Sequence, residues 1–374
     1  MRKLVLALIG MALLSPAVMA SNWWETVKVK GDLRYRHEML KLENNDAARH
    51  RQRIRARVGV FGQVNDFTKV GIQLATGGDN PVSTNQTLDD AFSTKTVGVD
   101  LAYFETSHKT VPGLTLTGGK FTNPFFKPGG SELLWDSDWN PEGGALNYTR
   151  SYDNATVTLI GSGLWIDERS SGDDSYLAAA QGIFKYHLED KKTAFAIGGG
   201  VFNYVNSKDF SPFFNGKRMG NSVVDMVVVN DQGDTTGVYD VYANDYELLE
   251  VFGEVTHTFD EIPVTVMADF VTNSAADSLN AGWLVGLKAG KANKPGSWSF
   301  RYIYRNLEAD AVLGTFTDSD FREGGTDAKG HEIGGEYQLA DNMTFGLTFF
   351  DNTIGLKGDG EKFNRLQVDL QLKF

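Results

Sequence analysis

Residues 365–374 read RLQVDLQLKF, and they show the pattern that decides the fold. Apolar side chains stand at every second position, and polar side chains fill the positions between them. Successive side chains of a β-strand point to opposite faces, so this stretch predicts a strand with one apolar and one polar face. A run of about ten residues is also what a tilted strand needs to cross a bilayer.

The same period-two pattern recurs along the chain from residue 27 onward. We predict sixteen strands, at residues 27–39, 48–64, 68–77, 94–110, 113–122, 144–151, 155–165, 174–188, 193–205, 244–258, 262–273, 281–291, 297–308, 329–339, 342–352 and 363–374. A soluble sandwich would rarely carry charges at every second position through most of a strand. The fold class is therefore all-β, a transmembrane antiparallel β-barrel of about sixteen strands.

The connections between these strands alternate between short and long. The long ones are 78–93, 123–143, 206–243 and 309–328. This parity is typical of an outer-membrane barrel, which has short periplasmic turns and long extracellular loops. Valine-rich stretches within 206–243 leave a count of eighteen strands open. We interpret them as a hairpin that projects beyond the membrane.

The first twenty residues have the pattern of an export signal. Arg2 and Lys3 precede an apolar run from Leu4 to Leu14, and Ala20 provides a small residue for cleavage. We expect residues 1–20 to be a cleaved signal peptide and residues 21–374 to form a single barrel domain. The apolar run is shorter than the roughly 20 residues that span a bilayer as a helix.

The composition gives little support to an enzyme. The chain has no Cys, and its six His show no metal-binding spacing. It contains no G-x-S-x-G or P-loop motif. We therefore predict no catalytic residue, no metal site and no cofactor. A net charge of −12 and the absence of a recognised motif argue against nucleic acid as a partner.

A row of basic residues is the first candidate functional feature. Its members share the polar face of the first two strands and of the last one: Arg34, Arg36, Arg51, Arg53, Arg55, Arg57 and Arg365. Arginine on the lipid face costs about 2–4 kcal/mol near the bilayer midplane, so the row is expected to face the lumen. It predicts either an anion-attracting pore wall or a solvated wall neutralised by carboxylates such as Asp32 and Asp369.

The loop 123–143 is the second candidate. It combines four acidic residues, Glu132, Asp136, Asp138 and Glu142, with Trp135 and Trp139. So many apolar side chains are unlikely to stay exposed, and we expect the loop to fold into the barrel and constrict it. Packing over the rim or against a partner subunit is the alternative.

Several motifs resemble a family of putative porins from Gram-negative bacteria. They are LATGGDNPVSTNQ at 74–86, GKFTNP at 119–124, WDSDWNPEG at 135–143 and RQRIR at 51–55. The resemblance covers nearly all of the chain after the signal peptide, and it is most specific in the first half. It implies a sixteen-stranded outer-membrane porin, trimeric, that exchanges small hydrophilic solutes.

These observations favour a passive, water-filled channel in the outer membrane with weak to moderate anion preference. The alternatives are a channel selective for an anionic nutrient, a plugged structural barrel and a barrel enzyme. Expected partners are outer-membrane lipid, lipopolysaccharide and two further copies of the chain. The terminal Phe374 resembles the signal that the barrel assembly machinery reads.

Overall fold

The computed structural model describes residues 23–107, 109–230, 232 and 234–374, and it consists almost entirely of β-strands. The strands are β1 (Lys28–Leu42), β2 (Arg49–Asn65), β3 (Thr68–Thr76), β4 (Gln86–Thr87), β5 (Val97–Ser107), β6 (Leu114–Lys120), β7 (Glu142–Ser151), β8 (Ala155–Asp167), β9 (Ser175–His187), β10 (Thr193–Val205), β11 (Val223–Val229), β12 (Thr235–Tyr242), β13 (Tyr246–Phe259), β14 (Ile262–Asn273), β15 (Ala281–Gly290), β16 (Trp298–Leu307), β17 (Ala328–Ala340), β18 (Met343–Ile354) and β19 (Glu361–Lys373). Short 3₁₀ turns occupy Trp23–Thr26 and Pro128–Gly130. No helix among the described residues has the length and apolarity to span a membrane.

Sixteen of these strands form one closed antiparallel barrel, as predicted. Each pairs with its neighbour along the chain, and β19 closes the ring by pairing with β1. The two-residue β4 pairs with Arg53 and Ile54 of β2 and is not counted among the sixteen barrel strands. The alternative of eighteen strands is wrong, because β10 pairs directly with β13 while β11 and β12 form a separate two-stranded sheet.

The two faces of the strands differ as the period-two pattern requires. On β1, Leu33 and Tyr35 point outward and are 44% and 46% exposed, whereas Asp32 and Arg36 point inward and are buried. Outward apolar side chains suit contact with lipid. A shift of one residue in register would move the arginines to this outer face, which explains why the alternation is so strict.

Connection lengths also follow the predicted parity. Turns of a few residues join β2 to β3, β7 to β8 and β13 to β14, and long loops alternate with them. The longest connections between barrel strands are residues 77–96, which include β4, and residues 121–141, 206–245 and 308–327. The predicted signal peptide, residues 1–20, lies outside the described residues.

Part of the barrel interior is packed with apolar side chains. Buried side chains of β8, β9, β10, β13 and β14 form one cluster with residues of the 121–141 and 308–327 loops. The glycines of β10 create the space for this cluster: a Cβ on Gly198 would lie 2.4 Å from the Phe252 ring. A Cβ on Gly200 would lie 2.5 Å from the Phe202 ring. These glycines therefore allow aromatic rings to lie flat against the inner wall.

Candidate functional site

The inner face of β1 and β2 carries a ladder of directly opposed charges. Its four cross-strand pairs are Asp32 with Arg57, Arg34 with Arg55, Arg36 with Arg53, and Glu38 with Arg51. The two central pairs thus place arginine opposite arginine. Like charges directly opposite each other destabilise a sheet, so carboxylates from elsewhere have to offset them.

Carboxylates at both ends of the ladder supply part of this compensation. Asp32 accepts hydrogen bonds from Arg55 Nε at 3.1 Å and from Arg57 Nε at 2.7 Å. Glu38, which is fully buried, accepts one from Arg51 Nε at 2.7 Å and another from Arg365. Asp32 is shared by two arginines and Glu38 by three, so on β1 and β2 alone six arginines face two carboxylates.

The 121–141 loop folds into the barrel and packs against its inner wall. Trp135 is 1% exposed, with its ring centroid 4.8 Å from Phe125, 5.4 Å from Trp139 and 4.7 Å from Phe202. Its indole N–H donates to the Tyr204 hydroxyl at 3.3 Å. This aromatic stack holds the loop across the lumen.

One end of the same loop reaches the arginine ladder. Asp138 lies 3.4 Å from Arg55 and 3.6 Å from Arg57, and its other oxygen accepts from Thr84 N and Oγ. Burial opposes ionisation of Asp138, but Arg55 and Arg57 outweigh it and hold its pKa below the ordinary value. The loop is therefore anchored to the ladder through an ionised carboxylate.

A second loop, residues 308–327, also lies inside the barrel, and sequence reasoning missed it. Ala309, Ala311, Val312 and Leu313 are at most 1% exposed. Its Thr317 hydroxyl donates to the Leu133 carbonyl at 2.9 Å, which ties it to the 121–141 loop. The apolar residues of this stretch were the available signal, because a water-exposed loop would not carry them.

Asp320 connects this second loop to the arginine row. Its carboxylate lies 3.1 Å from Arg36 and 2.7 Å from Arg365. Asp320 is half-buried, and Arg365 and Arg36 hold its pKa well below the ordinary range. Arg365, 1% exposed, also donates to the backbone carbonyls of Ser319 and Asp320, so it lies beneath the loop and not on an open wall.

Three carboxylates meet where the two loops touch. Oxygens of Glu132, Asp136 and Asp318 lie within 4.8 Å of one another. Burial and the neighbouring Asp318 raise the pKa of Glu132 to about 8, and burial together with Glu132 and Asp138 raises the pKa of Asp136 well above its usual range. Asp136 accepts from the backbone N–H of Asp138 and of Ser319, and Asp318 pairs with Arg305. Because groups of the protein donate to these carboxylate oxygens, the cluster connects the two loops.

A polar cavity of about 510 Å³ lies between the ladder, the two loops and the strands β15 to β19. Six basic side chains line it: Arg34, Arg36, Arg55, Lys288, Lys291 and Arg301. Eight acidic ones do as well: Glu132, Asp136, Asp138, Asp318, Asp320, Glu332, Glu336 and Asp369. The net charge of the lining is therefore small. The ladder arginines Arg36 and Arg55 pair with the loop carboxylates Asp320 and Asp138, and Arg301 on β16 pairs with Glu332 on β17.

The remaining predicted site residues lie at different places. Arg53 stands within the ladder, 3.6 Å from Glu38, and is not part of the cavity lining. Glu142 is the first residue of β7 and pairs with Lys120 at 2.9 Å, apart from the other three acids of its predicted group. Phe374 exchanges two backbone hydrogen bonds with Gly31 and completes the β19–β1 pairing.

Comparison with known proteins agrees with this architecture. A family described as "Putative porin" matches residues 24–235 and 231–374. No curated protein matches the chain. Many solved structures share the fold.

Two of these structures illustrate the likeness. The high-pH structure of Pseudomonas putida OprB is 10% identical, with a TM-score of 0.59, and the match covers 94% of each chain. Salmonella typhi OmpF, solved as a complex with daunomycin, is 11% identical, with a TM-score of 0.57, covering 93% of this chain and 97% of that one. At such identities the likeness shows the fold alone. Because the family match spans nearly all of the described chain, this protein belongs to the putative porin family and is an outer-membrane porin.

Proposed function

We propose that the barrel is a passive channel for small hydrophilic solutes and ions, with a constriction formed by the 121–141 and 308–327 loops. The observation that carries this proposal is the 510 Å³ cavity, whose lining is polar and whose charges are opposed. Opposed charges in a narrow space with low-dielectric walls create a transverse field. Such a field favours dipolar and charged solutes over apolar ones.

Conductance of the purified protein in a planar bilayer tests this function. Stepwise, ohmic current increments are expected in potassium chloride, together with swelling of liposomes in small sugars. A second candidate is a plugged structural barrel, which the near-complete burial of the 308–327 loop favours. Absence of both current and swelling from folded, heat-modifiable protein would reject the channel in favour of the plug.

The ion preference that we propose is weak, and it is directed toward anions. On β1 and β2 the six ladder arginines outnumber the two ladder carboxylates, Asp32 and Glu38, while burial keeps Glu132 protonated at neutral pH through a pKa of about 8. Most of the net charge of −12 lies elsewhere, and salt screens it beyond a Debye length of about 8 Å. Reversal potentials in a potassium chloride gradient measure this preference directly.

We further propose that the protein is exported with cleavage after Ala20, assembles as a homotrimer and contacts lipopolysaccharide. N-terminal sequencing and mass measurement of the outer-membrane protein test cleavage and assembly. A protein that begins at Met1 would contradict the first expectation, and a monomeric mass in mild detergent would contradict the second. Co-purification of lipopolysaccharide through these steps tests the third, and its absence would count against that contact.

Phe374 is proposed as part of the assembly signal. Its ring lies where a Cβ on Gly31 would come, at 2.4 Å, and its backbone pairs with Gly31. Deleting Phe374 removes these closing contacts and should leave unfolded protein in the periplasm. The matched control is Phe374→Tyr, which keeps an aromatic ring and the backbone pairing. Equal yields of folded barrel from the deletion and the control would contradict the role.

A further inference from the structure

Three arginines of the ladder line the cavity, and their surroundings differ. Arg36 donates to both oxygens of Asp369 at 2.7 Å and also pairs with Asp320. Arg55 pairs with Asp32 at 3.0 Å and with Asp138 at 3.4 Å. Both of these guanidinium groups are therefore saturated by carboxylates of the protein.

Among the residues that the structure describes, Arg34 has no ion pair with a carboxylate. Its only side-chain hydrogen bond among the described residues runs from Nη2 to the neutral Asn85 Oδ1, at 2.7 Å. Its Nε is buried and has no hydrogen-bond partner in the described part of the chain. Its cross-strand neighbours are the like-charged Arg55 on β2 and the neutral Gln371 on β19. Of the three ladder arginines that line the cavity, Arg34 is therefore the one without an ion pair among the described residues.

We propose that Arg34, oriented by Asn85, forms a subsite in the channel for the carboxylate of a small, singly charged organic acid. The planar fork of a guanidinium group matches a carboxylate with two parallel hydrogen bonds, a geometry that chloride cannot use. The cavity volume of about 510 Å³ lies within the range of small-molecule sites, about 300–1,000 Å³.

The charges around Arg34 select for a single negative charge. Asp138 and Asp369 lie close enough to act on Arg34 electrostatically. A monocarboxylate neutralises the Arg34 guanidinium, which has no ion pair with a carboxylate among the described residues. A doubly charged phosphate would bring an additional negative charge toward these two aspartates, and repulsion disfavours it.

The subsite rests on the proposed channel function, and the probe that tests it is acetate. Single-channel current is recorded against acetate, chloride and phosphate concentration for the wild type, Arg34→Gln, Arg34→Lys and Asn85→Asp. The matched control is Arg53→Gln, which removes the same charge from an arginine whose Nε is also unpartnered but which does not line the cavity.

Wild-type current should saturate with acetate at lower concentration than with chloride or phosphate. Because hydrogen bonds to a charged group are lost, Arg34→Gln should raise the half-saturating acetate concentration about tenfold. Asn85→Asp should do the same, because it supplies a carboxylate beside Arg34. Arg34→Lys should keep the reversal potential and lose the acetate effect, whereas Arg53→Gln should shift only the reversal potential.

Equal half-saturation in Arg34→Gln and Arg53→Gln would overturn the subsite, and so would a wild-type current that does not saturate with acetate. If neither the wild type nor any variant conducts, the proposed channel function is wrong. The acetate-dependent rise in unfolding temperature of the detergent-solubilised barrel then decides the subsite, because it needs no current. A rise in the wild type that Arg34→Gln abolishes supports the subsite, and an equal rise in both contradicts it.

Discussion

The two sides of the barrel interior use inward-facing positions in opposite ways. On β8–β10, β13 and β14 these positions hold aromatic and aliphatic side chains that pack against the two inward loops. On β1, β2 and β19 they hold arginines and carboxylates beside an open cavity. The same strand geometry therefore builds a packed core on one side and a solvated wall on the other. The two loops therefore fill the lumen from one side and leave a cavity beside the charged wall.

The largest expected effect comes from breaking the packed side. Trp135→Ala removes the centre of the aromatic stack and should cost about 3–5 kcal/mol of stability. The 121–141 loop should then detach, so that conductance rises several-fold and chymotrypsin cleaves within the loop, after Phe125 or Phe126. Deleting part of 131–138 should also raise conductance. The control is Trp165→Ala on the outer face, where the side chain is 56% exposed. Unchanged conductance and protease resistance in Trp135→Ala would show that the stack does not hold the constriction.

Reversing charge on the arginine ladder should have the second-largest effect. The double variant Arg53→Glu with Arg55→Glu changes the ladder by four charge units. One unit charge about 8 Å from a permeating ion in water contributes about 0.5 kcal/mol, so the permeability ratio should move roughly tenfold or more toward cations. Reversal potentials at low salt measure it. An unchanged potential would place the ladder outside the permeation path.

A smaller and opposite shift is expected from Asp320→Asn. This change removes one charge and leaves Arg36 with Asp369 alone among its present ion-pair partners, so the permeability ratio should move about two- to threefold toward anions. Asp327→Asn, in the same loop but outside the cavity lining, serves as the control. Equal potentials in the two variants would mean that Asp320 does not act on permeating ions.

The smallest effect concerns pH. Burial and Asp318 raise the pKa of Glu132 to about 8, so this carboxyl is neutral at pH 7 and ionises as the pH rises through that value. One added negative charge in the cavity should shift the permeability ratio about twofold toward cations between pH 7 and pH 9. Glu132→Gln should flatten this dependence. If the slope persists in Glu132→Gln, a different group is responsible.

The strands and their facing could be predicted because they depend on local alternation. Arg34 and Leu33 must point to opposite faces in any strand, and lipid decides which face each takes. The inward path of the 121–141 loop could also be predicted, because its apolar side chains would be exposed to water if the loop lay outside the barrel. The 308–327 loop was missed because Asp318, Asp320 and the neighbouring glycines resemble a solvated loop, although Ala309 to Leu313 do not.

The pairing of the site residues could not be predicted in the same way. Asp320 meets Arg36 and Arg365 only because a loop crosses the lumen, and such a contact leaves no periodic trace in the sequence. Glu38 lies between Arg51 and Arg365 because of the closing register of β19 on β1. That register depends on the whole ring of strands. The sequence therefore predicted a charged wall, but it did not show which carboxylates neutralise the arginines of that wall.

The most direct test of the one-sided path uses the absence of cysteine from the chain. Single cysteines are introduced at Gln371 and Thr344, which line the cavity, and at Leu248, which is 1% exposed within the packed side. A charged, membrane-impermeant thiol reagent is then added during single-channel recording. A one-sided path requires rapid modification and reduced current for Gln371→Cys and Thr344→Cys, with no reaction at Leu248→Cys. Equal reaction at all three positions would contradict it.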